Sequence, residues 1–227
     1  MNLDTIITID GPSAAGKSTL ARELARCLGW SFLDTGAIYR AVAVVAMEKG
    51  LMESSPELLG KFVASLDIRV ELTADKSRIF LGDRELTSLI RSEEVGKAAS
   101  QISSYPEVRR ALHELQARLG EKGRLVTEGR DQGTAIFPWA RLKFFLTATL
   151  EERAKRRHRE LLEKNPTICY DDILEKMTSR DRADETREAT PLRVAPGAIV
   201  LNTTELTQDN VLKIMEEKAR EIFSDVL

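Results

Sequence analysis

Cysteine and histidine are nearly absent from this chain, with two of each among 227 residues. Cys27 and Cys169 lie far apart, and His113 and His158 stand alone, so no cluster has zinc-ligand spacing. No apolar run is long enough to span a bilayer, and no basic and then apolar leader precedes the first strand. Charge of one sign is also lacking. The formal net charge is -2 and the pI about 5.9, which creates no field favouring nucleic acid or an anionic membrane. Internal repeats and low-complexity linkers are missing too. What remains is an ordinary globular composition, 42% hydrophobic and 31% charged, long enough for one α/β domain with an insertion or two small domains. The simplest expectation is a monomeric cytoplasmic enzyme without a nucleic-acid polymer or a membrane as partner.

The most informative stretch is GPSAAGKST, residues 11–19. Thr5 to Ile9 before it is short and β-branched and reads as a buried strand. Leu20, Leu24 and Leu28 after it recur at helical spacing. Gly11 to Ser18 therefore fits G-x-x-x-x-G-K-[ST] in the strand-loop-helix context that gives the motif its meaning. Gly11 and Gly16 permit positive φ and close backbone approach, so successive N–H groups can curl around phosphate oxygens. The following helix adds its positive dipole end. In this reading Gly11, Pro12, Ser13, Ala14, Ala15, Gly16, Lys17, Ser18 and Thr19 hold ATP. Lys17 reaches the β- and γ-phosphates, and the Ser18 hydroxyl ligates Mg²⁺.

Strands and helices then alternate as in a parallel sheet with crossover helices. WSFLDTGAIYR reads as strand, turn and helix, and Pro56 opens another helix to about Ser65. Ile68, Val70 and Leu72 alternate with charged residues, which predicts a small, half-exposed antiparallel meander over 66–91. A helix starts near Ser92, and Val108, Leu112, Leu115 and Leu119 share one face of the next, ended by Gly120. RLVTEGRD and LKFFLTA read as parallel core strands. The 150–190 region is helical and arginine-rich, with a break at Asn165-Pro166. AIVLNT is a last strand, and a closing helix turns Val211, Ile214, Met215 and Ile222 inward. Cys27, beside the apolar face of the first helix, reads as a small core residue.

EGRDQGT, residues 128–134, follows a buried strand, where open parallel sheets bind ligands. Arg130 and Asp131 there fit either a structural ion pair or an arginine gripping phosphate beside a carboxylate that reads a polar group. DTGAIYR is a second strand exit presenting Thr35, Tyr39 and Arg40, although Tyr39 suits a core position equally well. The arginine run from Arg153 to Arg159 fits a solvated helix face, or cations brought in by a mobile segment to neutralise phosphate. A GTPase would need N-K-x-D and D-x-x-G, and neither string occurs. A small-molecule kinase needs cationic clamps for a second substrate, and these are present.

GPSAAGKST, LDTGAIYR, AASQ, EGRDQGT, EERAKRR and RDRADETREATPL occur in the order seen in bacterial cytidylate kinases, which the chain resembles from end to end. The resemblance implies a single phosphate-loop kinase domain over 1–227 with a five-stranded parallel core. It also implies a 66–91 β insertion in the monophosphate-binding lobe and a helical lid at 150–190. The implied reaction moves the γ-phosphate of ATP to CMP or dCMP, with Mg²⁺. Carried over motif by motif, Thr35, Tyr39, Arg40, Arg130 and Arg187 line the acceptor site. Ser100, Arg109 and Asp131 read the cytosine, and Arg180 and Asp184 contact the sugar. Arg156 and Arg157 close over the transferring phosphate, making Lys17, Arg130, Arg187, Arg156 and Arg157 the catalytic set. Glu128 and Asn202 stand where the family commonly has Asp. Kinases for UMP or shikimate, and a non-catalytic nucleotide-binding regulator, remain alternatives.

Overall fold

Ile6–Asp10 (β1) is five buried residues in a row, the signature of a strand covered on both faces. It is the middle strand of the main sheet in the computed structural model, which describes residues 5–163 and 165–226. Residues 1–4, Lys164 within the arginine-rich region, and Leu227 lie outside the described residues, so the expected 1–227 bounds are read over the rest. After β1 come α1 (Lys17–Leu28), β2 (Ser31–Asp34), α2 (Thr35–Glu48) and α3 (Pro56–Ala64). The meander follows as β3 (Ile68–Leu72), β4 (Ser77–Leu81) and β5 (Arg84–Glu85). Then come α4 (Glu93–Ile102), α5 (Pro106–Gly120), β6 (Leu125–Gly129) and β7 (Leu142–Thr147). The last elements are α6 (Leu150–Leu162), α7 (Tyr170–Thr186), β8 (Ile199–Asn202) and α8 (Gln208–Ile222).

The main sheet runs β2-β6-β1-β7-β8 with every pairing parallel. The chain leaves β1 towards one edge and later crosses to the other, which opens a crevice at the carboxyl ends of the strands. Ile7, Ile9, Leu24, Phe32, Phe144, Met215 and Phe223 form the core on the α1 and α8 face. Ile6, Leu33, Ile38, Val42, Leu112 and Phe137 form it on the α2 and α5 face. The antiparallel meander covers the β2 edge, where the Phe32 N–H donates to the Thr73 carbonyl at 2.8 Å and Asp34 N to Ser77 Oγ at 3.0 Å. An exposed edge would otherwise invite intermolecular pairing. No helix of the described residues is long and apolar enough to cross a membrane.

Three expectations are corrected. No turn separates β2 from α2: Asp34 ends the strand and caps the helix, its Oδ1 accepting from Ala37 N at 3.0 Å. Thr35, Tyr39 and Arg40 therefore sit on the first turns of a helix rather than on a loop. Cys27 is exposed. At about 3.6 residues per turn the buried arc of α1 runs from Leu20 through Leu24, Leu28 and Ala21 to Ala25, and Cys27 falls just outside it. On α8 the buried positions are Val211, Met215 and Ala219, while Ile214 is only half-buried.

Candidate active site

The loop between β1 and α1 is shaped by three left-handed residues. Gly11 has φ +146°, and a Cβ there would sit 2.0 Å from the Leu146 carbonyl oxygen of β7. Gly16 has φ +90° and leads into α1. Ala14 also takes a positive φ, 57°, which its side chain does not favour and the sequence does not signal. Such turns aim successive N–H groups into one concavity that suits a phosphate. Lys17 is buried and donates from Nζ to the Pro12 carbonyl at 2.6 Å. Burial, helped by the nearby charge of Arg130, lowers its pKa to about 7.

Ser18 Oγ donates to Glu128 Oε1 at 2.8 Å, at the end of β6. Asp34 faces the same carboxylate, and burial together with the Glu128 charge raises its pKa to about 7. A hydroxyl with two crowded carboxylates is a hard-oxygen donor set short of positive charge, which fits Mg²⁺ completed by substrate phosphate oxygens. Glu128 reaches Ser18 with its extra methylene in place.

A cleft of about 1960 Å³ extends from this loop to a second group of charged side chains. Every expected site residue lines it except Gly11 and Pro12, which lie beneath the loop. Arg130 Nε donates to Asp184 Oδ2 at 2.8 Å, and Arg187 Nη1 lies 3.7 Å from Asp184 Oδ1. Arg180 is half-buried nearby, and loss of solvent with the Arg130 charge lowers its pKa to about 10. Nε of Arg180 and Nη2 of Arg187 are buried and have no partner among the described residues. Three guanidinium groups thus face one carboxylate, an excess of positive charge with free donors that an anion would satisfy.

Arg130 and Asp131 do not form an ion pair with each other, because the backbone turns out of β6 between them. Asp131 pairs instead with Arg109 of α5, and His113 Nε2 lies 3.1 Å from it. Burial raises the Asp131 pKa, but the His113 contact and the Arg109 charge outweigh it and hold the carboxyl well below its ordinary range. The next turn, Gln132–Ile136, hangs on Asp10, whose two oxygens accept from Gln132 N at 2.9 Å and Gly133 N at 2.7 Å. Arg109 lies 5.4 Å over the Tyr39 ring. Tyr39 is buried within the core cluster and lines the cleft as well, so its two readings are compatible, and burial pushes its pKa up to about 12. Thr35 Oγ1 donates to the Glu128 carbonyl at 2.7 Å, tying α2 to β6. Arg40 Nη1 donates to the Ile90 carbonyl at 3.2 Å, and Ser100 of α4 is half-buried at the cleft wall.

Arg156 and Arg157 diverge. Arg156 donates to Thr203 Oγ1 at 3.0 Å, beside β8, and to Glu152 at 2.9 Å. Arg157 crosses the cleft to Glu93 on α4. The α6–α7 hairpin has its own small core of Ala154, Leu161, Ile173 and Met177, with Ala14 of the phosphate loop packed against it. Arg153, buried with Asp181, donates to the Ser13 carbonyl at 3.3 Å. This tie between hairpin and loop was one unremarkable member of the arginine run in the sequence. So small a core should open locally at low cost. Hydrogen exchange in α6 and α7 should therefore slow when a compound joining both nucleotides is added. Unchanged protection would make the hairpin a static wall.

A family model described as cytidylate kinase matches residues 7–221. A cytidylate kinase of Carboxydothermus hydrogenoformans is 43% identical over 222 residues, covering 97% of this chain and 99% of that protein. One from Pseudomonas fluorescens is 44% identical, covering 96% of each. Among solved structures, an uncharacterized protein from Eubacterium ventriosum covers 96% of this chain and 99% of its own at 11% identity and a TM-score of 0.51, a likeness of fold alone.

Proposed function

The chain belongs to the cytidylate kinase family, and from that premise we propose that it transfers the γ-phosphoryl group of ATP to CMP or dCMP. The observation that carries this reading is the cluster of Arg130, Arg180 and Arg187 around Asp184, in the same cleft as the Lys17 loop. One anion site fits the donor triphosphate and the other an acceptor phosphate. The residues from 66–91 serve the monophosphate lobe, and 150–190 serve as the lid. The protein acts as a cytoplasmic monomer.

The acceptor phosphate has a second pKa near 6, so at pH 7 it is already largely a dianion and needs no general base. One of its oxygens attacks the γ-phosphorus, the bond to the β-bridging oxygen breaks, and ADP leaves. What the chain must supply is alignment and neutralisation of charge. Lys17 turns from the Pro12 carbonyl to the β- and γ-phosphates. Arg130 and Arg187, with Arg40 at the rim, hold the acceptor. Arg156 and Arg157 leave Thr203 and Glu93 to cover the transferring group and exclude water. Mg²⁺, held by Ser18 with Glu128 and Asp34 behind it, would supply further neutralisation of the triphosphate.

The assay is ADP release across CMP, dCMP, UMP, AMP, GMP and shikimate. CMP and dCMP should be used far better than UMP, and the other three hardly at all. Equal use of UMP, or no turnover with any acceptor, would overturn the reading. Asp184 provides a second check, because in this reading it accepts from the 2′-hydroxyl as well as holding Arg130. Asp184→Ala should impair both substrates, with CMP losing about 1–3 kcal/mol more than dCMP. Equal losses would leave Asp184 with the task of holding Arg130 only.

A further inference from the structure

Asp131 is 3% exposed, and two side chains of α5 close on the same one of its oxygens. Arg109 reaches Oδ2 through Nη2, and His113 Nε2 lies 3.1 Å from that atom. Residues four apart on a helix stack on one face, so α5 delivers both groups together. His113 Nε2 is buried 3.1 Å from that oxygen and makes no hydrogen bond among the described residues. An imidazole N–H turned towards Oδ2 would donate to it, which an apolar side chain could not. Oδ1 makes no hydrogen bond among the described residues, and Asp131 lines the cleft.

A carboxylate rotates easily about χ2, so an acceptor meant to discriminate between bases has to be held. In this structure Arg109 is fixed through Nε to Thr190 Oγ1 at 2.7 Å and through Nη1 to the Ser103 carbonyl at 3.2 Å, leaving Nη2 for Asp131. It is itself a proposed base contact and would turn towards bound cytosine. We infer that His113 is a positioning residue for base selection: its buried, unpartnered Nε2, 3.1 Å from Oδ2, takes up that oxygen when Arg109 turns, so that Oδ1 stays aimed at the exocyclic amino group of cytosine. This rests on Asp131 facing the base, as proposed above. Cytosine offers a donor at that edge and uracil an acceptor, so a fixed carboxylate oxygen attracts the one and repels the other.

The test compares His113→Leu, which fills the space without a donor, with His113→Gln, which retains an N–H at similar reach. KM and kcat are measured for CMP, UMP and ATP, with Asp131→Asn in parallel. His113→Leu should raise the KM for CMP by about 5- to 20-fold and narrow the CMP-to-UMP ratio of kcat/KM alongside it, with kcat and the KM for ATP near native. His113→Gln should recover most of the loss, which a purely structural defect would not allow. A native CMP-to-UMP ratio in His113→Leu, or Gln no better than Leu, overturns the inference. If Asp131→Asn narrows the ratio and His113→Leu does not, the histidine assignment alone has failed. If Asp131→Asn leaves the ratio unchanged, the base-reading role of Asp131 fails and this inference falls with it.

Discussion

Replacing Lys17 with Ala should lower kcat by about two to three orders of magnitude, since it removes a cation aimed at charge that develops in the transition state. The fold should survive, because Lys17 contributes one hydrogen bond, to the Pro12 carbonyl, while α1 keeps Leu20, Leu24 and Leu28 in the core. CMP affinity should also survive, because the acceptor arginines do not depend on Lys17. The buried lysine has a pKa lowered to about 7, so at pH 8 it is mostly neutral before ATP arrives. A triphosphate favours the ammonium and raises that pKa, so ATP binding should take up a proton at pH 8. Calorimetry in buffers of different ionisation enthalpy would detect the uptake, and Lys17→Ala should abolish it. Near-native turnover in the variant would sink the phosphate-loop mechanism.

Asp131→Asn carries the next largest effect, and it acts on stability as well as on selectivity. The carboxylate is the partner of buried Arg109, and removing one member of a buried pair costs about 3–5 kcal/mol because the other charge is left uncompensated. The folded pKa of Asp131 is depressed, so its stabilisation is complete above the unfolded value of about 3.9 and is lost as pH falls through the folded value. The stability gap between native protein and variant should thus be full at neutral pH and should narrow progressively once the pH falls below about 3.9. On the substrate side the amide can turn its NH₂ towards the oxygen of uracil. CMP should lose about 10- to 100-fold in kcat/KM while UMP loses less or gains. Denaturation curves at pH 7 and pH 3 read the first effect, and the CMP-to-UMP ratio reads the second. A variant as stable as the native chain would mean that Arg109 finds another partner.

The family's motifs were legible because each is a short run whose chemistry depends on neighbours in the chain. The phosphate loop is complete within residues 11–18, and the meander appears as the change of period at Ile68, Val70 and Leu72. Even the cap at Asp34 is a local device, although the sequence reading placed a turn there. Arg130 and Asp131 were harder, since adjacency suggested a pair. Their true partners, Asp184 and Arg109, lie 54 and 22 residues away.

Amino-acid order alone was enough for the elements, the nucleotide loop and the group of residues gathered at the cleft, because local backbone preference and hydrophobic period act over a few residues. Tertiary structure decided which side chain faces which. The β2-β6-β1-β7-β8 order brings Glu128 against Ser18, and the docking of α5 brings His113 to Asp131. The phosphate loop between β1 and α1 forces Ala14 into a left-handed turn, and the packing of α6 and α7 sends Arg157 to Glu93. Such pairings depend on distances set by many packed elements at once, and no short stretch of sequence contains them.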